Sequence, residues 1–142
     1  MKSKLGLFLM AMLSVLAPVK PMVAIAIMFI WCDMFFGIWR SVKLKGWKSI
    51  RSRRLSSTIS KSLLYSGSIV AIFLMEKFVL ADILGMFVKV DLILTKAFTF
   101  FCVMVEIKSI NESYYDITGK NILQSFKQFL TRSKQQFNEF KD

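Results

Sequence analysis

The chain has 142 residues, 55% of them hydrophobic and 14% aromatic, with 6 Gly and 2 Pro, and a mean hydropathy of +0.53. This is more apolar than a soluble domain of such length and points to a membrane protein. The formal net charge of +11 could serve phosphate binding, but the distribution described below gives it to membrane headgroups and excludes nucleic acid as the expected partner.

The first apolar run, "LGLFLMAMLSVLA" from Leu5 to Ala17, follows Lys2 and Lys4. It resembles a secretory leader, with Val15-Leu16-Ala17 as a small-residue cleavage sequence, but Pro18 is a poor position for cutting. An uncleaved membrane helix over 5–17 is the preferred reading, short for a bilayer because it covers only about 20 Å. "PVKP" at 18–21 breaks the helix, since each proline lacks an amide donor and restrains the residue before it. A hairpin into a second span, 22–39, is expected.

That second span is apolar on all sides except for Asp33, within "IWCDMFFGIWR". Trp31, Trp39 and Trp47 lie near its end, where indole rings favour the membrane interface. The loop 40–61 that follows carries Arg40, Lys43, Lys45, Lys48, Arg51, Arg53, Arg54 and Lys61 without an acid. Such a loop stays cytoplasmic by the positive-inside rule, and the first seven of these residues are candidates for contact with anionic headgroups.

A third span is expected at 62–81. In it Ser62 and Ser66, and Gly67 and Ala71, stand four apart, a spacing that lets helix backbones approach closely in lipid. "DILGMFVKVD" at 82–91 reads as a short turn, and a fourth span is expected at 90–107. Four spans, the first one short, put both termini and the basic segments on the cytoplasmic side. The tail 118–140 places Leu123, Phe126, Leu130, Phe137 and Phe140 at helical spacing with basic residues between them, an amphipathic cationic helix suited to an interface or to another subunit. The expected architecture is therefore an all-α integral membrane protein, with a transmembrane domain over 1–110 and an amphipathic basic tail over 111–142.

Asp33, Glu76, Lys77, Lys96 and Glu106 fall at membrane depth or near its edge. An unpaired charge there costs about 2.5 to 3.5 kcal/mol, so each should pair, line water or occupy a helix interface. Their positions along a hairpin predict that Glu76 and Lys96 face each other or share one polar interface. The chain has no His and its 2 Cys stand in apolar runs, which leaves no Cys/His metal or nucleophile pattern and no phosphate-loop or hydrolase motif. Cys32 and Cys102 read as packing residues; no enzyme activity, metal or cofactor is expected.

Two stretches resemble a family. "DMFFGIWRSVKLKG" is similar to the Asp-x-x-x-Gly motif that closes an early span in the toxin-secretion and phage-lysis holins, and "EIKSINES" to the Glu-x-x-Ser-Ile-x-Glu-Asn motif after their last span. Order and spacing agree over roughly residues 22 to 123. Asp33, Gly37, Glu106, Ser109, Ile110 and Glu112 match, whereas Val105 stands where an Asn commonly precedes the Glu and Ser113 replaces the final Asn. The resemblance implies a homo-oligomer, multi-pass in the bacterial host's cytoplasmic membrane, that opens lesions at a critical density. An endolysin, or a toxin in relatives, then passes through without being bound. A dedicated ion or export channel and a membrane-anchored scaffold are the competing classes.

Overall fold

The computed structural model describes residues 2–47, 52–87 and 89–139. Helix α1, Lys2–Val15, leads into a tight 3₁₀ turn, Ala17–Val19, and then into α2, Lys20–Lys45. The prolines account for this join. Pro18 and Pro21 each sit at the start of a helical segment, where the missing amide breaks no hydrogen bond. The turn is closed by Val19 N donating to the carbonyl of Leu16 at 3.1 Å. The expected hairpin is absent among the described residues: α1 meets the turn rather than running back along α2.

Gly46 ends α2. Its φ of 78° suits glycine, and its N–H donates to the Val42 carbonyl at 2.9 Å. Helix α3, Ser52–Met75, runs without a break into a π-helical turn, Glu76–Leu80, and on into α4, Ala81–Phe87. The segment expected to begin a turn at residue 82 is thus helical through Phe87. Leu92, at φ 57°, starts α5, Ile93–Thr118, which ends on Gly119 at φ 70°. Helix α5 passes through residues 110 and 111, the expected boundary between membrane domain and tail. Finally α6, Ile122–Glu139, begins where Ile122 N donates to Asn111 Oδ1 at 3.0 Å.

Helices α2, α3 and α5 pack side by side as a three-helix bundle, with α5 lying along α2 and α3 touching both. Val19, Ala26, Ile69 and Phe73 form the buried apolar core, with Val15, Leu16, Met22, Val23, Leu92 and Phe98 against it. This core occupies the end of the bundle near the proline turn. Buried polar residues run the length of the bundle, from Glu76 and Thr95 beside this core to Ser113 near the far end. The buried face of α5 runs Thr95, Thr99, Cys102, Glu106, Ile110, Ser113 and Ile117, the three- and four-residue spacing of a helix packed in a bundle.

The all-helical expectation agrees with these elements, but the expectation of four transmembrane helices is corrected. Among the described residues one helical run is long and apolar enough to cross a membrane, Ala17–Lys45, with a mean hydropathy of 2.0 in its most apolar window. The reason lies in the charges and polar residues that interrupt the others. The first half of α3 is rich in Ser, Thr and basic residues, and Glu76 and Lys77 follow its apolar second half. In α5 the uncharged stretch is confined between Lys96 and Glu106. In α1 the apolar stretch, Gly6–Val15, is shorter than a bilayer requires.

Candidate polar interhelical site

Four side chains from three helices meet in the half of the bundle away from the proline turn. Asp33 comes from α2, Lys61 and Tyr65 from α3, and Glu106 from α5. Lys61 Nζ donates to both carboxylate oxygens of Glu106 at 3.3 Å, and Tyr65 Oη donates to Glu106 Oε1 at 3.1 Å. Asp33 Oδ2 lies 3.6 Å from the same ammonium. Lys61 and Tyr65 stand one helical turn apart on α3, which brings both to the face directed at α5.

Glu106 is 0% exposed. Burial of a carboxylate costs several kcal/mol unless it is paired and hydrogen-bonded, and here an ammonium and a phenol satisfy it. Two carboxylates share one ammonium, so with all three ionised the group carries an excess negative charge. Beside it lies a cavity of about 200 Å³ lined by Asp33, Gly37, Arg40, Thr58, Lys61, Ser109 and Ser113.

The two short motifs, far apart in sequence, therefore converge in space. Asp33 and Gly37 from the first and Ser109 from the second border the cavity, and Glu106 reaches Asp33 through Lys61. Ile110 is buried on the same helix, while Glu112 is exposed.

A second buried acid is held differently. Glu76, in the π turn, accepts from Leu94 N at 2.9 Å through Oε1, and from Thr95 N at 2.9 Å and Thr95 Oγ1 at 2.6 Å through Oε2. It acts as an N-cap supplied by another helix: its charge faces the positive end of the α5 dipole and satisfies amides that lack partners within α5. Among the described residues Lys96 forms no direct ion pair with Glu76, although its charge lies close enough to act on the carboxylate. Its side chain is exposed, and Glu76 spends its hydrogen bonds on the helix terminus.

Of the basic residues expected to meet headgroups, Arg40 forms an ion pair with Asp116, and Lys43 Nζ donates to the Ile117 carbonyl at 3.2 Å. These contacts tie the end of α2 to the end of α5. Lys45 is exposed. Lys48 and Arg51 lie outside the described residues, as do the side chains of Arg53 and Arg54. On α3, Ser62 donates to the Thr58 carbonyl at 2.9 Å and Ser66 is partly buried, while Gly67 and Ala71 face outward. A Cβ at Gly67 would meet nothing within 4 Å, so no partner helix within the chain uses its small size.

Sequence reading did not find Lys61 and Tyr65 as partners of the buried acids. Lys61 was legible only as the end of the basic loop, although its spacing from Tyr65 marks a shared helix face. Among the described residues there is no cluster of metal-ligating side chains, and Cys32 and Cys102 are free thiols, Cys102 buried.

The bundle buries polar groups beside its apolar core and leaves large apolar side chains on its outer surface. The interior holds Ser41, Thr58, Glu76, Thr95, Thr99, Glu106 and Ser113, while Trp31, Phe35, Trp39, Leu63, Leu64, Phe100, Phe101 and Met104 are exposed. Among the described residues no buried side-chain nitrogen or oxygen lacks a hydrogen-bond partner. No protein-family model, curated protein or solved structure matches the chain.

Proposed function

We propose that the chain is a holin-type protein of the bacterial cytoplasmic membrane, which self-associates and opens lesions through which a cell-wall hydrolase escapes. The exposure of large apolar side chains around buried polar groups carries this reading. A surface of Trp, Phe, Leu and Met around an interior whose described buried polar side chains are all satisfied suits lipid or further copies of the chain better than water. Helix α2 supplies the crossing: only 17% of its apolar window is buried, whereas the core helix of a soluble protein would be mostly covered. Its basic end, with Arg40, Lys43 and Lys45, faces the cytoplasm by the positive-inside rule.

The convergence of the two holin-like motifs on one polar cavity supports the same reading. In the closed monomer Lys61 satisfies acids from two other helices. When copies accumulate, the same groups exchange these partners for groups on neighbouring copies or for water, and the bundle passes from a lipid-stable to a water-lining arrangement. The hydrolase passes through the lesion and makes no specific contact.

The test is co-expression with a cytosolic wall hydrolase, together with dye release from liposomes. Abrupt lysis after a delay, with release of large dyes, is expected. Selective ion leakage without dye release would replace the lesion with a fixed channel, and no leakage would leave a scaffold. Within the lesion reading, Asp33→Asn balances the cluster at one carboxylate per ammonium. It should delay lysis at equal expression, and Asp33→Leu should delay it further; parental timing in both variants would remove Asp33 from the opening step.

A further inference from the structure

Helix α6 carries the most segregated apolar face that the chain leaves uncovered. At about 100° per residue, Ile122, Leu123, Phe126, Phe129 and Leu130 fall within an arc of about 120°. Leu123 is 82% exposed, Phe126 58%, Phe129 65% and Leu130 46%, although α6 is anchored to α5 at its start through Asn111. Phe129 joins the stripe expected from the sequence; the side chain of Phe137 and all of Phe140 lie outside the described residues.

The polar residues beside this stripe specify what covers it. Lys127 projects just beyond the Leu123 edge and Arg132 beyond the Phe129 edge, and both are exposed; Lys120, before the helix, instead donates from Nζ to Gln128 Oε1 at 2.9 Å on the opposite face. No Asp or Glu occurs between Asp116 and Glu139. A second copy of α6 would bring like charges to both edges of a paired stripe, which opposes self-association. A surface that is apolar in depth and anionic at its rim complements both features, as does the boundary between acyl chains and headgroups of an anionic leaflet.

We propose that α6 lies flat in the headgroup region of an anionic bilayer, with Leu123, Phe126, Phe129 and Leu130 directed into the acyl boundary and Lys127 and Arg132 on lipid phosphates. The binding does not depend on lesion formation, since the surface is complete in one copy. It gives the segment after α5 a fixed plane, parallel to the membrane.

The experiment uses the full chain reconstituted in vesicles, with photoreactive benzoylphenylalanine replacing Phe126 or, on the opposite face, Gln128. In phosphatidylglycerol-rich vesicles the label at 126 should crosslink to lipid and the label at 128 should not. In phosphatidylcholine vesicles, or at high salt, the lipid adduct at 126 should fall several-fold. Each basic residue near an anionic surface strengthens binding about fivefold. Lys127→Gln and Arg132→Gln together should therefore reduce the adduct at least about tenfold, with the rest of the chain still incorporated in the vesicle. Crosslinks from 126 to a second copy, lipid adducts of equal yield in both vesicle types, or no adduct at all would each overturn the proposal.

Discussion

Glu76 and Glu106 are both buried acids, and they are satisfied in different ways. Glu76 is held by backbone amides and a hydroxyl at the start of one helix. Glu106 is held by the tips of two side chains from α3, one of which also serves Asp33. The amides at a helix terminus cannot move away without unwinding the helix, whereas an ammonium on a flexible stem can change partners by rotating its own bonds. The first arrangement fixes the end of the bundle near the proline turn. The second is the one that helix motion can rearrange, and it lies beside the cavity where the two motifs meet.

The largest test of this contrast is Glu76→Ala. It removes three acceptor contacts at once and leaves the start of α5 uncapped, so unfolding in detergent, followed by helical circular dichroism, should show a loss of about 3 to 5 kcal/mol. A loss below about 1 kcal/mol would mean that water replaces the carboxylate and the end is not fixed.

Next is Lys61→Met, which leaves the carboxylates of Asp33 and Glu106 without their shared ammonium. Because the Lys61 side chain is 39% exposed, the loss should be smaller, about 2 to 3 kcal/mol. It should be partly recovered by adding Glu106→Gln, since the double variant no longer buries an unpaired charge. Additive losses in the double variant would show that the two side chains act independently.

The smallest effect is expected for Lys96→Met. With its side chain exposed and Glu76 committed to α5, stability should change by less than about 0.5 kcal/mol. A loss as large as that of Lys61→Met would restore the Glu76–Lys96 pair and cancel the distinction between the two ends.

These differences also mark what sequence could reveal. Helix α2 was legible as one long apolar run, and α6 as a periodic stripe. Both patterns are local, and both need only neighbours along the chain. Proline accounted for the break between α1 and α2, but the geometry of that break depends on what α1 touches, and no hairpin forms. The four-span expectation counted apolar runs generously across Glu76, Lys96 and Glu106, where those charges in fact shorten the uninterrupted apolar stretches of α3 and α5. Asp33 and Glu106 were recognisable as residues in need of partners. That Lys61 serves both is a property of three helices brought together; its spacing from Tyr65 marks a shared helix face but not which acids that face meets. Likewise, the length of α5 beyond Ile107 depends on Ile110, Ser113 and Ile117 finding cover against the bundle.

The π turn at Glu76–Leu80 has a consequence for length variation in this chain. Bonding from i to i+5 accommodates a residue more per turn than α-helical bonding, so α3 and α4 are joined with one residue of slack. Deleting a single residue there would let the helix close into regular α-helical bonding with its flanks in register, whereas a deletion elsewhere in α3 would rotate the following side chains by about 100°. The helix can thus be shortened at this point with the least change to its shape. The change would fall on the one acid that holds the start of α5, which makes this tolerant stretch of backbone intolerant in its chemistry.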